Sequence, residues 1–130
     1  MKKRVLVVDD DRNITTYLRT LLEDNGYETT TANDGNEGLG KAREEKPDAI
    51  ALDLLMPKKT GIKMFRELRK DEALRDIPIV VVTGIAREHE KLSSIKRLIG
   101  ERRTSSPDAY LDKPINRDEF IATIKEVVKT

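Results

Sequence analysis

The 130-residue chain has no cysteine and one histidine, His89. The first absence excludes disulfides, thiolate metal ligands and cysteine nucleophiles together. The second excludes a metal site built from several histidines of this chain. Net charge is almost absent as well, with 25 Lys and Arg against 24 Asp and Glu, a net of +1 at pH 7. That balance lacks the basic footprint of a nucleic-acid binder, and no direct nucleic-acid contact is expected. Long hydrophobic runs are missing too. Met1-Lys2-Lys3-Arg4 is basic, but only four apolar residues follow before the acids begin. That is too short for a signal-peptide core or a membrane span, so a cytoplasmic, membrane-free protein is expected. There is no internal repeat, low-complexity stretch or linker. The length predicts one domain over residues 1–130, ending with its last helix.

What is present begins with Val5-Leu6-Val7-Val8-Asp9-Asp10-Asp11. Four apolar residues in a row predict a buried strand, although periodicity alone also fits a piece of buried helix. The acids stand where that strand surfaces. In parallel α/β proteins ligands gather at the carboxyl ends of strands. Adjacent acids repel, and stay ionised only if water or a cation shares the field. Oxygen-only ligands suit a hard cation such as Mg²⁺. An acidic turn capping the next helix is the other reading, and the stretch alone does not choose between them.

Along the chain, Asp11 or Asn13 caps a helix carrying Ile14, Tyr17, Leu18, Leu21 and Leu22 at helical spacing, closed by Asn25-Gly26. Tyr27 to Ala32 predicts a threonine-rich strand near an edge. Asn33-Asp34-Gly35 starts a weak helix with Gly38 and Gly40 inside, stopped by Pro47. Ala49 to Leu52 is a third-strand run ending in Asp53. A loop from Leu54 to Gly61 leads to a helix with Ile62, Phe65 and Leu68. Pro78 to Val82 predicts a strand ending in Thr83-Gly84. The next helix carries Leu92, Ile95, Leu98 and Ile99. Ala109-Tyr110-Leu111 is a short strand before Asp112-Lys113-Pro114. Asn116 with Glu119 resembles a capping box for a last helix with Phe120, Ile121, Ile124, Val127 and Val128. Strand and helix alternate five times, which predicts right-handed crossovers and a parallel sheet with helices on both faces.

In such a sheet all strand ends meet on one edge. The first strand brings Asp9 and Asp10 there, the third Asp53, the fourth Thr83 and the fifth Lys113. This ordered set, with Met56-Pro57 after Asp53 and Lys113-Pro114 near the end, resembles a response-regulator receiver domain, the phospho-accepting module of two-component signalling. The likeness runs from Arg4 to about Val128. It implies a flavodoxin-like (βα)5 fold, with strand order 2-1-3-4-5 and five flanking helices. It implies that Asp53 takes a phosphoryl group from a histidine kinase or histidine phosphotransfer protein. Asp10 would bind Mg²⁺ directly and Asp9 largely through water, with Asp53 and the Leu55 carbonyl completing the protein ligands. Lys113 would pair with Asp53, Thr83 would hold a phosphoryl oxygen, and Thr83 with Tyr110 would form the switch. The Lys113-Pro114 peptide would be cis. The module would be a signalling switch rather than an enzyme, of bacterial type, and a monomer or weak dimer. It would act through the face from the fourth to the fifth helix.

Bland readings stand beside these. Thr83 alone reads as a strand-end hydroxyl and Tyr110 as a core aromatic. Asp11 reads as a cap, Asp108 and Asp112 as solvated loop acids, His89 as exposed, and Met56 and Phe65 as core. Two other function classes fit parts of the pattern. A pseudo-receiver would keep the fold without phosphate; the set Asp10, Asp53, Thr83 and Lys113 argues against it. A haloacid-dehalogenase-like phosphatase finds its acid spacing in Asp9 and Asp11, but no cap domain or separate substrate pocket is evident. Three departures from the receiver pattern stand out. The connection from Thr83 to Tyr110 is long, with 26 intervening residues. Thr60-Gly61 stands where Asp-Gly is common. Leu55 and Ile85, each two residues past a site residue, are branched aliphatics flanking the route of a hydrolytic water, which predicts slow autodephosphorylation.

Overall fold

The computed structural model describes residues 2–84 and 107–128, except the side chains of Lys59 and Thr83. Its strands are β1 (Arg4–Val8), β2 (Glu28–Ala32), β3 (Ala49–Leu52), β4 (Ile79–Thr83) and β5 (Ala109–Asp112). All pairings are parallel, in the order β2-β1-β3-β4-β5. The helices are α1 (Arg12–Asp24), α2 (Gly35–Glu45), α3 (Thr60–Lys70), which follows a 3-10 turn at Pro57–Lys59, and α4 (Arg117–Val127).

The helix count corrects the sequence reading. Five flanking helices were expected, and four α-helices are present among the described residues. The expected helix with Leu92, Ile95, Leu98 and Ile99, like His89 and Ile85, lies outside the described residues. No helix among the described residues is long and apolar enough to cross a membrane.

The three central strands are apolar but for Arg4 and Thr83 at their ends, because both of their faces are covered. Alternation divides them between two cores. Leu6, Val8, Ile50, Leu52, Ile79 and Val81 face α2 and α3, where Met64, Phe65 and Leu68 are buried. Val5, Val7, Ala49, Ala51, Val80 and Val82 face α1 and α4, against Leu18, Leu22, Phe120 and Ile124. β2 pairs only with β1, and its threonines are half-buried, as an edge strand allows. Helix starts follow the polar residues. Asp11 accepts from the Asn13 amide at 2.8 Å, Asp34 from Glu37 at 2.8 Å and Asn116 from Glu119 at 2.9 Å. Gly26, at φ +88°, turns the chain after α1.

Asp108 is exposed, as its loop-like setting suggests, yet it also holds a strand end. Pro-Asp-Ala occurs twice, at 47–49 and 107–109, each time entering a strand. Asp48 accepts from the Arg4 amide at 2.8 Å and donates its own N–H to the Arg4 carbonyl at 2.8 Å. Asp108 does the same for Ile79, at 2.8 and 2.9 Å. Each carboxylate satisfies the first N–H of the neighbouring strand. Arg69 adds a 3.0 Å ion pair to Asp108, donates to the Arg75 and Ile77 carbonyls, and stacks over Phe65. The amino-terminal edge of the sheet is thereby closed by internally satisfied acids.

Candidate functional site

The opposite edge carries the chemistry. Val8 and Leu52 are register partners, so the next residues, Asp9 and Asp53, leave adjacent strands side by side. Two further backbone bonds fix them there: the Asp53 amide donates to Val8 at 3.0 Å and the Asp9 amide to Ala32 at 3.1 Å. Both carboxylates are buried, Asp9 at 1% and Asp53 at 4% exposure, whereas Asp10 is exposed. Carboxylate oxygens of Asp9, Asp10 and Asp53 all lie within 4.8 Å of one another.

Lys113 reaches this group from the end of β5. Its ammonium is 2.8 Å from Asp9 Oδ2 and 3.3 Å from Asp53 Oδ2. The contact with Asp9 is the shorter, a pairing that the sequence does not announce, since the resemblance assigns the lysine to Asp53. Asp9 Oδ1 accepts from the Asp11 amide at 2.9 Å, so both Asp9 oxygens have protein partners. Asp53 Oδ1 accepts from the Leu55 amide at 3.0 Å. The Lys113-Pro114 peptide is cis.

The charges act on one another. Burial pushes the Asp53 carboxyl above its ordinary value, and the Asp9 charge adds to the rise. The Leu55 N–H and the Lys113 charge work against it. Burial alone would lower the Lys113 ammonium. The hydrogen bond to Asp9 and the charges of Asp53 and Asp9 outweigh this and hold it above its ordinary value. Among the described residues, three carboxylates served by one ammonium leave the site short of positive charge. An all-oxygen donor set at this spacing fits a hard divalent cation.

The remaining predicted residues fall around this centre. Leu55 is 47% exposed, while Leu54 beside it is fully buried. Thr83 ends β4 in register with Asp112, its side chain lying outside the described structure. Tyr110 pairs with Val81 in register and is 37% exposed, so it is not a plain core aromatic, and partial burial raises its phenol. Met56 and Phe65 are core, as their sequence setting suggests. Asp11 is the α1 cap, outside the three-carboxylate group. Gly61 reads in the sequence only as the end of a loop. A Cβ there would lie 2.2 Å from the Asp53 carbonyl, so the start of α3 abuts the acid-bearing residue.

A family model for the response regulator receiver domain matches residues 5–125. The transcriptional regulatory protein PhoP for alkaline phosphatase synthesis, of Bacillus subtilis, is 36% identical over 129 residues. That match covers 99% of this chain and 50% of PhoP, so the chain spans half of that regulator's length. The polar-differentiation response regulator DivK of Brucella anthropi is 36% identical over 125 residues, covering 96% of this chain and 95% of DivK. Among solved structures, the receiver domain of sensor histidine kinase PA1611 from Pseudomonas aeruginosa superposes with a TM-score of 0.84 at 25% identity, over all of both chains. That structure has a magnesium ion coordinated in its active-site cleft.

Proposed function

The chain belongs to the response regulator receiver domain family, and from that premise we propose that Asp53 is its phospho-acceptor and Lys113 its charge-neutralising partner. The domain is a phospho-accepting switch of two-component signalling rather than an enzyme acting on an outside substrate. In this reading residues 1–130 act as one receiver domain. The observation that carries the assignment is the buried ion cluster, in which one ammonium bridges Asp9 and Asp53 beside exposed Asp10.

An ionised Asp53 oxygen attacks phosphorus, the new O–P bond forms as the N–P bond of a phosphohistidine breaks, and the imidazole leaves with the electron pair. Such transfer asks the protein mainly for position and charge. The Leu55 amide and Lys113 hold Asp53 ionised and aimed. Lys113, also anchored on Asp9, is in reach of a phosphoryl oxygen added at Asp53. Mg²⁺ is the group that fits the acids; Asp10, Asp53 and the Leu55 carbonyl would hold it, with Asp9 beside them, and when bound it would neutralise phosphoryl charge. Asp9, with both oxygens engaged, chiefly positions Lys113. Thr83 receives another phosphoryl oxygen. The added charge at Asp53 draws Thr83 and Lys113 inward and lets Tyr110 follow, a local electrostatic event biasing a two-state element.

The donor is a histidine kinase or a histidine phosphotransfer protein. The output is a protein contact on the face between the long 84–109 connection and α4. Incubation with Mg²⁺ and a small phosphodonor, or with beryllofluoride, tests the assignment against Asp53→Ala. Modification that requires Asp53, without turnover of phosphate esters, is expected. No modification of the parent would make the chain a pseudo-receiver, and sustained ester hydrolysis would make it a phosphatase.

A further inference from the structure

The start of α2 touches the site from two directions. Ala32, three residues before Gly35, accepts the Asp9 amide at 3.1 Å. Gly35 itself, the first residue of α2, lies against the first residue of α3. A Cβ at Gly35 would be 1.9 Å from the Thr60 carbonyl oxygen and 2.5 Å from its carbon. The next residue, Gly61, is as tightly placed on the other side. A Cβ there would be 2.2 Å from the Asp53 carbonyl oxygen and 2.9 Å from Leu54 Cα. The first turn of α3 is thus clamped between the start of α2 and the peptide that carries Asp53. The nearest atoms in this path are backbone, which cannot rotate aside as a side chain does.

Other glycines of α2 show the contrast. A Cβ at Gly38 would meet Met64 Sδ at 2.8 Å and Val8 Cγ2 at 2.9 Å, the ends of side chains. At Gly40 it would meet nothing within 4 Å. One helix therefore offers rigid contact, yielding contact and open space.

We propose that Gly35 is a positioning residue for the acceptor, acting through Thr60 and Gly61 on the Asp53–Leu54 backbone. The inference rests on the reading of Asp53 as acceptor. A methyl group at position 35 pushes the α3 start toward Asp53. That disturbs both the carboxylate and the Leu55 amide that holds it. The same contact runs in reverse, so loading of Asp53 is felt at the first turn of α2, where Glu37 and Gly38 donate to Asp34.

Gly35→Ala, Gly38→Ala and Gly40→Ala are compared for stability, for Mg²⁺ affinity by amide shifts of Asp53 and Leu55, and for the rate of modification by acetyl phosphate. A displacement of roughly 1 Å at a reacting group slows reaction up to about a hundredfold. Gly35→Ala is therefore expected to slow modification by about tenfold or more and to weaken Mg²⁺ binding. Gly38→Ala should lose stability yet keep affinity and rate within about twofold, because the side chains it meets can yield. Gly40→Ala should match the parent. A folded Gly35→Ala with the parent's affinity and rate overturns the proposal, as does a Gly38→Ala that loses as much of both. Hydrogen exchange on the unmutated protein decides the matter if Gly35→Ala does not fold. Mg²⁺ with beryllofluoride should protect the Glu37 and Gly38 amides, and unchanged protection there refutes the coupling. A parent that takes neither phosphoryl group nor beryllofluoride overturns the reading of Asp53, and this inference with it. A modifiable parent whose Gly35 and Gly38 variants behave alike overturns this inference alone.

Discussion

Lys113→Met removes the one ammonium that, among the described residues, faces two buried carboxylates. In the parent that ammonium stands 2.8 Å from Asp9 and 3.3 Å from Asp53, whose side chains are 2% and 5% exposed. Removing one partner of a buried ion pair costs about 3–5 kcal/mol, chiefly because a charge is left without compensation. Lys113 is itself 24% exposed, so part of its field is screened by water, and the lower figure of about 3 kcal/mol applies. A chain of 130 residues unfolds with an entropy of ~0.27 kcal/mol/K, so the loss becomes a fall in Tm of ~11 °C.

Thermal unfolding followed by circular dichroism in EDTA near pH 8 reads this directly. Mg²⁺ should then act as a substitute cation. It meets no competing ammonium in the variant, so at fixed concentration it should raise the variant's Tm more than the parent's. At about a hundredfold excess over its dissociation constant it returns ~2.7 kcal/mol, nearly the whole deficit. The pH dependence has a definite sign. Burial already holds the folded Asp53 carboxyl above its ordinary value, and loss of Lys113 raises it further. A carboxyl raised on folding binds more protons in the folded state, so stability falls as pH rises from the ordinary range through the folded value. Lys113, raised on folding, contributes in the parent below about pH 10 and ceases to contribute as pH climbs through its folded value. The gap between parent and variant should therefore narrow from about pH 8 to about pH 5. A fall of less than ~3 °C in EDTA, or equal Mg²⁺-induced rises in the two proteins, would show that Lys113 does not compensate the buried acids.

Asp108→Ala leaves the Ile79 amide without this acceptor and removes the ion pair of Arg69, which keeps the Arg75 and Ile77 carbonyls. It should cost about 2 kcal/mol, or ~7 °C, with the rate of Asp53 modification unchanged; a Tm within about 1 °C of the parent contradicts the structural role. Lys58 has φ +62°, a left-handed conformation that glycine adopts without strain. Lys58→Gly should raise stability by about 0.5 kcal/mol, the relieved strain less the added freedom of the unfolded chain, and denaturant titration at constant m would expose a loss instead. Leu55 presents a half-exposed aliphatic group two residues from Asp53 and no polar atom on its side chain to orient water. The phosphoryl group should persist for minutes or longer in Mg²⁺, and Leu55→Asn should shorten its life; decay of the parent within seconds would count against this.

Sequence reached the fold wherever one element's chemistry is complete within itself. The apolar runs of β1, β3 and β4 and the caps at Asp11 and Asn116 are local statements, and the structure keeps them. The three acids and Lys113 converge because parallel topology leaves strand ends little choice of edge. What escaped were relations between elements. Gly35 reads as a helix start and Gly38 and Gly40 as helix weakness, since the value of Gly35 lies in a backbone 25 residues away, at Thr60. Asp108 reads as loop acid until the Ile79 amide is placed beside it, though the repeated Pro-Asp-Ala offered a hint. Lys113 has two acids in reach, and only coordinates rank them. The expected helix with Leu92, Ile95, Leu98 and Ile99 came from an apolar stripe and the family resemblance, and four α-helices stand among the described residues.

The two edges of the sheet answer differently to the ionic medium. At the amino-terminal edge, Asp48 and Asp108 find their donors in the chain's own amides. Nothing there waits for a solute. At the carboxyl edge, three acids share one ammonium and two amides among the described residues, which leaves negative charge for a cation from solution to balance. On the proposed reading of these acids as a Mg²⁺ site, a chelating buffer acts on that rim and spares the opposite one, where the chain placed its own N–H groups.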